Sequence, residues 1–282
     1  MHGRRAADRV RSDVITICAA QGGLITRAQL ARRHGRQAAH LGLRWLDDRG
    51  EIEEVILNVW VHVATARLPV GDLALEAQAR WLALAPALLL RERTERRGRD
   101  EVMPVIAGGA AWQHWALGPS NWRPQIAVPF QQSTVKSDDV VDVVVEQIDP
   151  IDVVWVDQFP YLRPEATIAR GFEATVDVAE TAAALGEAMW RLHPLRPELL
   201  AYHLQEVAER NGWVDQEWNA ATIYSDLIAR AGGWPTQPGS PFWTAWWSHA
   251  AHLQRVRREH PTWLLDDSPV SWWDEYRGDS CE

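Results

Sequence analysis

Between Arg11 and Gln21 the residues Val14, Ile17, Cys18 and Gln21 recur at the spacing of one helical face, and Gly22-Gly23 then stops the pattern. Leu24-Ile25 is a short apolar link. Thr26 has the chemistry of an N-cap and Gln29, three residues on, that of its capping-box partner. A second helix is therefore predicted from Arg27 to about His34, closed by Gly35. A third follows from about Arg36 to Arg49, ends at Gly50, and shows Ala38, Leu41, Trp45 and Leu46 as its apolar face. After Gly50 the period drops to two: 52–56 and 59–63 read as strands around Leu57-Asn58.

Three short helices followed by a hairpin, all before Leu68, is the order of a winged helix-turn-helix, and the single Gly35 suits the tight turn of that motif. Arg67 to Asp72, with Pro69 and Gly71, reads as a linker. An Ala- and Leu-rich helix over 73–92, bending at Pro86, comes next, then a charged stretch to Asp100. Met103 to Trp115 reads as a strand or turn entering a short helix at Gly108-Gly109. Strand signals follow at 125–129, 140–147, 151–156 and 159–162, and Arg163-Pro164 opens a region of helices reaching about 192, then 196–211 and 216–232. Beyond the break at 232–239 a helix is predicted from about Pro241 to Glu259. The predicted class is α+β: an N-terminal winged helix-turn-helix over 1–68, a mixed α/β body over 72–195, and a helical, Trp-rich C-terminal part over 196–282.

Charge changes the picture more than composition does. The chain as a whole carries a net −9, which argues against nucleic acid. Residues 1–50, however, hold ten Arg and four Asp, a net +6, so the remaining 232 residues carry −15. A basic head on an acidic body is expected where one end meets a polyanion. No apolar run approaches the ~20 residues that span a bilayer, and the Arg-rich start lacks the apolar core of a secretory signal; the expected location is cytoplasmic, without membrane contact. Cys18 lies in an apolar pattern and reads as core, Cys281 as an exposed thiol, and no spacing suggests zinc or a disulfide framework. Of the 17 Trp, seven fall between Trp234 and Trp273; they suit a Trp-capped helical core or a partner surface.

The stretch Gly22-Gly-Leu-Ile-Thr-Arg-Ala-Gln-Leu30, a helix ending Arg-Gly, and a β wing together resemble the N-terminal domain of AbiEi-type antitoxins of type IV toxin–antitoxin systems. Ile106-Ala-Gly-Gly-Ala-Ala-Trp-Gln-His-Trp-Ala-Leu117, Ile126-Ala-Val-Pro129 and Phe159-Pro-Tyr-Leu-Arg-Pro-Glu-Ala-Thr-Ile-Ala-Arg170 resemble later parts of the same family, so the likeness covers roughly residues 10 to 232. The resemblance implies a protein that represses its own operon through the winged helix and counters a nucleotidyltransferase-type toxin, or a stand-alone transcriptional regulator. Three departures stand out. The wing here carries Glu51, Glu53 and Glu54, with Asn58-Val-Trp60 where the family has Gly-Val-Tyr; Arg170-Gly-Phe-Glu173 replaces the family's Asp-Leu; and the tail from about 233 has no match. An acidic wing fits the alternative of an interaction protein with a degenerate head.

In a helix-turn-helix the N-terminal part of the last helix reads bases in the major groove. Opposite the apolar face of the third helix lie Arg36, Gln37, His40 and Arg44. Arg pairs with guanine and Gln with adenine, which makes these four the candidate base readers; as a plain solvated surface they would look the same. Thr26, Arg27, Arg32 and Arg33 are the candidate phosphate contacts, with Thr26 also the helix cap. The expected partners are double-stranded DNA of the protein's own promoter, a nucleotidyltransferase-type toxin, and further copies of the chain on DNA. No enzymatic activity, cofactor or metal is expected. Asp138-Asp139, Asp142, Asp149 and Asp152 read as surface carboxylates, Gly108-Gly109 lacks a P-loop Lys, and His249 and His252, three apart with His260 beyond, would need a third ligand in reach to hold a metal.

Overall fold

A computed structural model of the chain describes residues 2–67, 72–95, 103–118, 121–132, 134–191, 195–213 and 219–231. Its described part is a mixed α+β structure with ten α-helices and two sheets. The predicted tail helix from Pro241, the His249, His252 and His260 group, the cluster from Trp234 to Trp273, and Cys281 all lie outside the described residues. Among the described residues no helix is long and apolar enough to cross a membrane.

The N-terminal region runs α1 (His2–Ala20), β1 (Leu24–Thr26), α2 (Arg27–His34), α3 (Arg36–Asp47), β2 (Ile52–Ile56) and β3 (Val59–His62). The three strands form an antiparallel sheet in the order β1-β3-β2. The predicted apolar link Leu24-Ile25 is therefore a strand, with Leu24 opposite Val61 and Ile25 opposite Trp60. Its entry is steered by Gly22 and Gly23, at φ +71 and +93; a Cβ on Gly23 would lie 2.7 Å from the Ala66 Cα.

The capping box forms as read: the Thr26 hydroxyl accepts from the Gln29 amide at 3.1 Å and the Gln29 side chain accepts from the Thr26 amide at 3.0 Å. The buried face of α3 differs from the predicted one. It is made of Ala39, Gly42, Leu43 and Leu46, while Leu41 is 57% exposed. Gly42 is the reason for the rotation: it lets α1 approach so closely that a Cβ there would lie 2.4 Å from Val10 Cγ1. Cys18 is fully buried beside them, and burial pushes its thiol up to about 12, which keeps it an unreactive core residue.

The body carries a five-stranded sheet in the order β6-β5-β4-β8-β7. Its strands are β4 (Val105–Ala107), β5 (Pro124–Val128), β6 (Asp142–Val145), β7 (Val153–Val156) and β8 (Phe159–Leu162). Pairs β4–β5 and β7–β8 are antiparallel, β5–β6 and β4–β8 parallel. The helix predicted over 73–92 is two helices, α4 (Leu73–Ala83) and α5 (Leu90–Thr94), because Pro86 cannot continue the hydrogen-bond ladder and the chain turns around it. The strand predicted over 140–147 is shorter, since the Asp138 carboxylate accepts the amides of Val140 and Val141 and holds them in a turn. The strand predicted over 151–156 opens as a 3-10 turn, Pro150–Asp152, capped by Asp149. Helix α6 (Gly108–His114) sits against β4 and β5, and α7 (Pro164–Thr175), α8 (Val178–Arg191), α9 (Pro197–Arg210) and α10 (Ala220–Arg230) complete the described chain.

Strand alternation joins the two parts. Ile25 and Ile52 face the core of α1, α2 and α3, whereas Leu24, Val59 and Val61 on the opposite face pack with Leu75, Trp81 and Phe159 of the body. A third cluster runs from Trp112 through Ile168 and Phe172 to Leu204 and Ile228, so packing is continuous across position 195 as well as across 68.

Candidate nucleic-acid interface

Helix α3 leaves Arg36, His40 and Arg44 in one exposed row at successive four-residue steps, with Gln37 and Leu41 beside it. Its start is Gly35 at φ +81, which offers no side-chain cap, so the first turn ends in open amides. Helix α2 begins beside it. The Arg27 amide donates to the Asn58 carbonyl at the tip of the β2–β3 hairpin, 3.1 Å away. Between α2, α3, the hairpin and the Pro86 turn lies an open cavity of about 720 Å³, lined by Arg27, Ala28, Ala31, Arg32, Arg36, His40, Asn58 and Pro86.

The eight residues singled out from the sequence do not share one environment. Arg27, Arg36, Gln37, His40 and Arg44 are exposed, and none of them has a carboxylate partner among the described residues. Arg33 is engaged by Asp13 at 3.1 Å, and the same carboxylate holds His34 at 2.8 Å. Arg32 is paired with Glu92 of α5. Thr26 is 1% exposed; its hydroxyl caps α2 and donates to the Pro86 carbonyl, so it faces the body and not the solvent.

The acidic hairpin is also less uniform than its sequence. Glu51 accepts from Arg11 at 2.6 Å and from Arg49 at 3.0 Å, and these partners hold its carboxyl below the usual range. Glu54 accepts the Asn58 amide at 2.8 Å and so closes the hairpin, whose Asn58 stands at φ 66. Only Glu53 of the three is exposed without a partner among the described residues. Two features of this surface were not legible in the sequence, Pro86 in the cavity wall and the exposed Leu41 on α3, because both depend on how α1 and the α4–α5 turn pack.

A second polar site lies in the body. A cavity of about 480 Å³ is lined by Glu146, Asp152, Arg170, His203, Glu206 and Arg210 among others. Buried His203 sits between Asp152, 3.0 Å from its Nε2, and Glu206, 3.2 Å from its Nδ1. Burial works against the charged ring, but the two carboxylates prevail and raise its pKa to about 9. The raised value favours the imidazolium form of His203 at neutral pH, and among the described residues no Ser, Thr or Cys lines the cavity. Arg170 forks onto Glu146 with both distances 2.7 Å. The Asp cluster noted in the sequence is dispersed: Asp138 pairs with Arg80, Asp142 with Arg123, and Asp149 caps a turn. Among the described residues no three His, Cys, Asp or Glu side chains are grouped to hold a metal.

Comparison with known proteins finds no family model that matches the chain and no curated protein that matches its sequence.

Proposed function

We propose that the protein is a DNA-binding transcriptional regulator whose first 62 or so residues act as a winged helix-turn-helix, with α3 as the helix that enters the major groove. One observation carries this reading: Arg27, Arg36 and Arg44 stand exposed and without carboxylate partners on the same side of α2 and α3, with Gln37 and His40 between them, while Asp13, Glu51 and Glu54 are engaged elsewhere. Arg and Gln at the open start of a helix supply the donors that guanine and adenine edges accept, and Arg27 and Arg44 flank them as phosphate contacts. The AbiEi resemblance extends the proposal: the duplex is the protein's own promoter, occupied by more than one copy, and the body counters a nucleotidyltransferase-type toxin in the cytoplasm. The exposed Glu53 fits the second reading, an interaction protein with a degenerate head, since an acidic wing withholds one phosphate contact.

The test is a fluorescence-anisotropy titration of the full chain against its own upstream duplex at two salt concentrations, beside the Arg36→Ala, Arg44→Ala variant. Salt-sensitive, sequence-preferring binding that the variant loses supports the proposal. No binding at low salt overturns it and turns attention to protein partners of the body. Neutralisation of a co-expressed toxin then separates antitoxin from stand-alone regulator.

A further inference from the structure

Arg32 lines the same cavity as Arg27, Arg36 and His40, but its charge is already answered. Its guanidinium forks onto Glu92, Nη1 to Oε2 at 2.7 Å and Nη2 to Oε1 at 3.1 Å, and Nη1 also donates to the Ala87 carbonyl at 2.7 Å. Glu92 belongs to α5, sixty residues away in the body, and reaches α2 because the Pro86 turn forms one wall of the cavity. Two carboxylate oxygens in the plane of a guanidinium offer the geometry that two phosphate oxygens would offer. Both side chains keep solvent contact, Arg32 at 48% and Glu92 at 30%, and an ion pair this open is weak enough to exchange partners.

We infer that Glu92 competes with the DNA backbone for Arg32, so that the body sets the affinity of the head: a phosphate gains Arg32 only by displacing Glu92. The inference rests on the DNA-binding reading of the head. Arg27 and Arg36 are the cavity's standing cations and Arg32 its conditional one. Anything that draws α5 or the Pro86 turn away from α2 adds one cation to the DNA face and strengthens binding. Arg33 differs, because its partner Asp13 lies in the head itself and no movement of the body frees it.

The experiment uses the full chain and its own upstream duplex across a salt series. Glu92→Gln removes the competing charge yet keeps an acceptor oxygen for the Leu89 amide, which Glu92 now holds at 2.7 Å. Its expected effect is about two- to fivefold tighter binding at low salt, the range of one open ion pair, and a salt slope steeper by about one unit. Arg32→Gln alone leaves the slope at its starting value, and adding Glu92→Gln to it produces no further change. Glu95→Gln, which removes a nearby charge paired with Arg91, leaves the slope unchanged. Should Glu92→Gln lower the melting temperature, Arg32→Lys provides a second route: it keeps the charge, loses the fork, and is expected to steepen the slope. An unchanged slope in Glu92→Gln, or an equal gain in the Arg32→Gln background, overturns the competition while leaving the DNA reading intact. Absence of binding by the unaltered protein overturns the DNA reading instead, and the inference with it.

Discussion

The side chains of Gln21 and Gln29 meet at 2.9 Å in a region both residues leave only 2% exposed, the Gln21 amide nitrogen donating to the Gln29 carbonyl oxygen. Each amide then reaches outward. Gln21 donates to the Leu24 carbonyl at 2.7 Å and accepts the Leu90 amide at 3.2 Å; Gln29 donates to the Leu88 carbonyl at 2.7 Å. The end of α1, the start of α2 and the turn before α5 are thus tied through two side chains. A buried amide network is stabilising only while its members are satisfied. Gln29→Leu would leave the Leu88 carbonyl and the Thr26 amide without these partners and Gln21 without one of its acceptors, and is expected to cost about 1–3 kcal/mol for each group left unsatisfied. Thermal melting of the full chain checks this, and head and body should still unfold in one transition.

Residues 1–67 expressed alone should not give a stable monomer. Leu24, Val59 and Val61 are covered by the body, and removing it exposes one whole face of the three-stranded sheet. The expected signs are self-association in sedimentation and binding of a hydrophobic dye. A sharp, cooperative monomeric transition in the fragment would contradict the shared core.

Gly42 leaves no room for a side chain against Val10. Gly42→Ala is therefore expected to destabilise by about 1–3 kcal/mol, as overpacking does, despite the better helix propensity of Ala. Val10→Ala should recover part of the loss in the double variant, although on its own it is destabilising. A denaturant titration of the four proteins measures that coupling.

His203 makes stability fall at alkaline pH. Its folded pKa is raised to about 9 by Asp152 and Glu206, above its value of about 6.5 in the unfolded chain. A group raised in this way adds stability that is fully present below the unfolded value and is lost as pH rises through about 9. The melting temperature is expected to fall between neutral pH and pH 10, and His203→Gln should flatten that decline while lowering stability at pH 6.

Two phosphate cations predict two similar salt effects. Arg27→Ala and Arg44→Ala should each reduce the salt slope of duplex binding by about 0.9 for every phosphate left without its cation. Arg36→Ala and Gln37→Ala should instead relax base preference with a smaller change in slope. Arg33→Ala is expected to leave the slope unaltered, since Asp13 already answers its charge.

The α+β class, the Thr26–Gln29 capping box and the strands flanking Leu57-Asn58 were legible in the sequence, because each depends on residues a few positions apart. The bounds of α2 at His34 and Gly35 follow from the same short-range chemistry, whereas α3, expected to reach Arg49, ends at Asp47, and Gly50 at φ 66 belongs to the turn that follows. The candidate interface was legible only as a set of residue types. Nothing local to Arg27, Arg32, Arg33 and Arg36 distinguishes their charges, yet two are open and two are engaged by Asp13 and Glu92. Nor does any local spacing reveal that Leu24-Ile25 pairs with β3, that Gly42 turns Leu41 outward by admitting Val10, or that Thr26 and Gln29 give their remaining hydrogen bonds to the Pro86–Leu88 turn. By itself the sequence determined the elements and their caps, through hydrogen bonds and periodicity within a turn or two. Tertiary structure alone decided which faces are buried and which charges remain free, because burial and ion pairing join residues brought together only when the chain has packed.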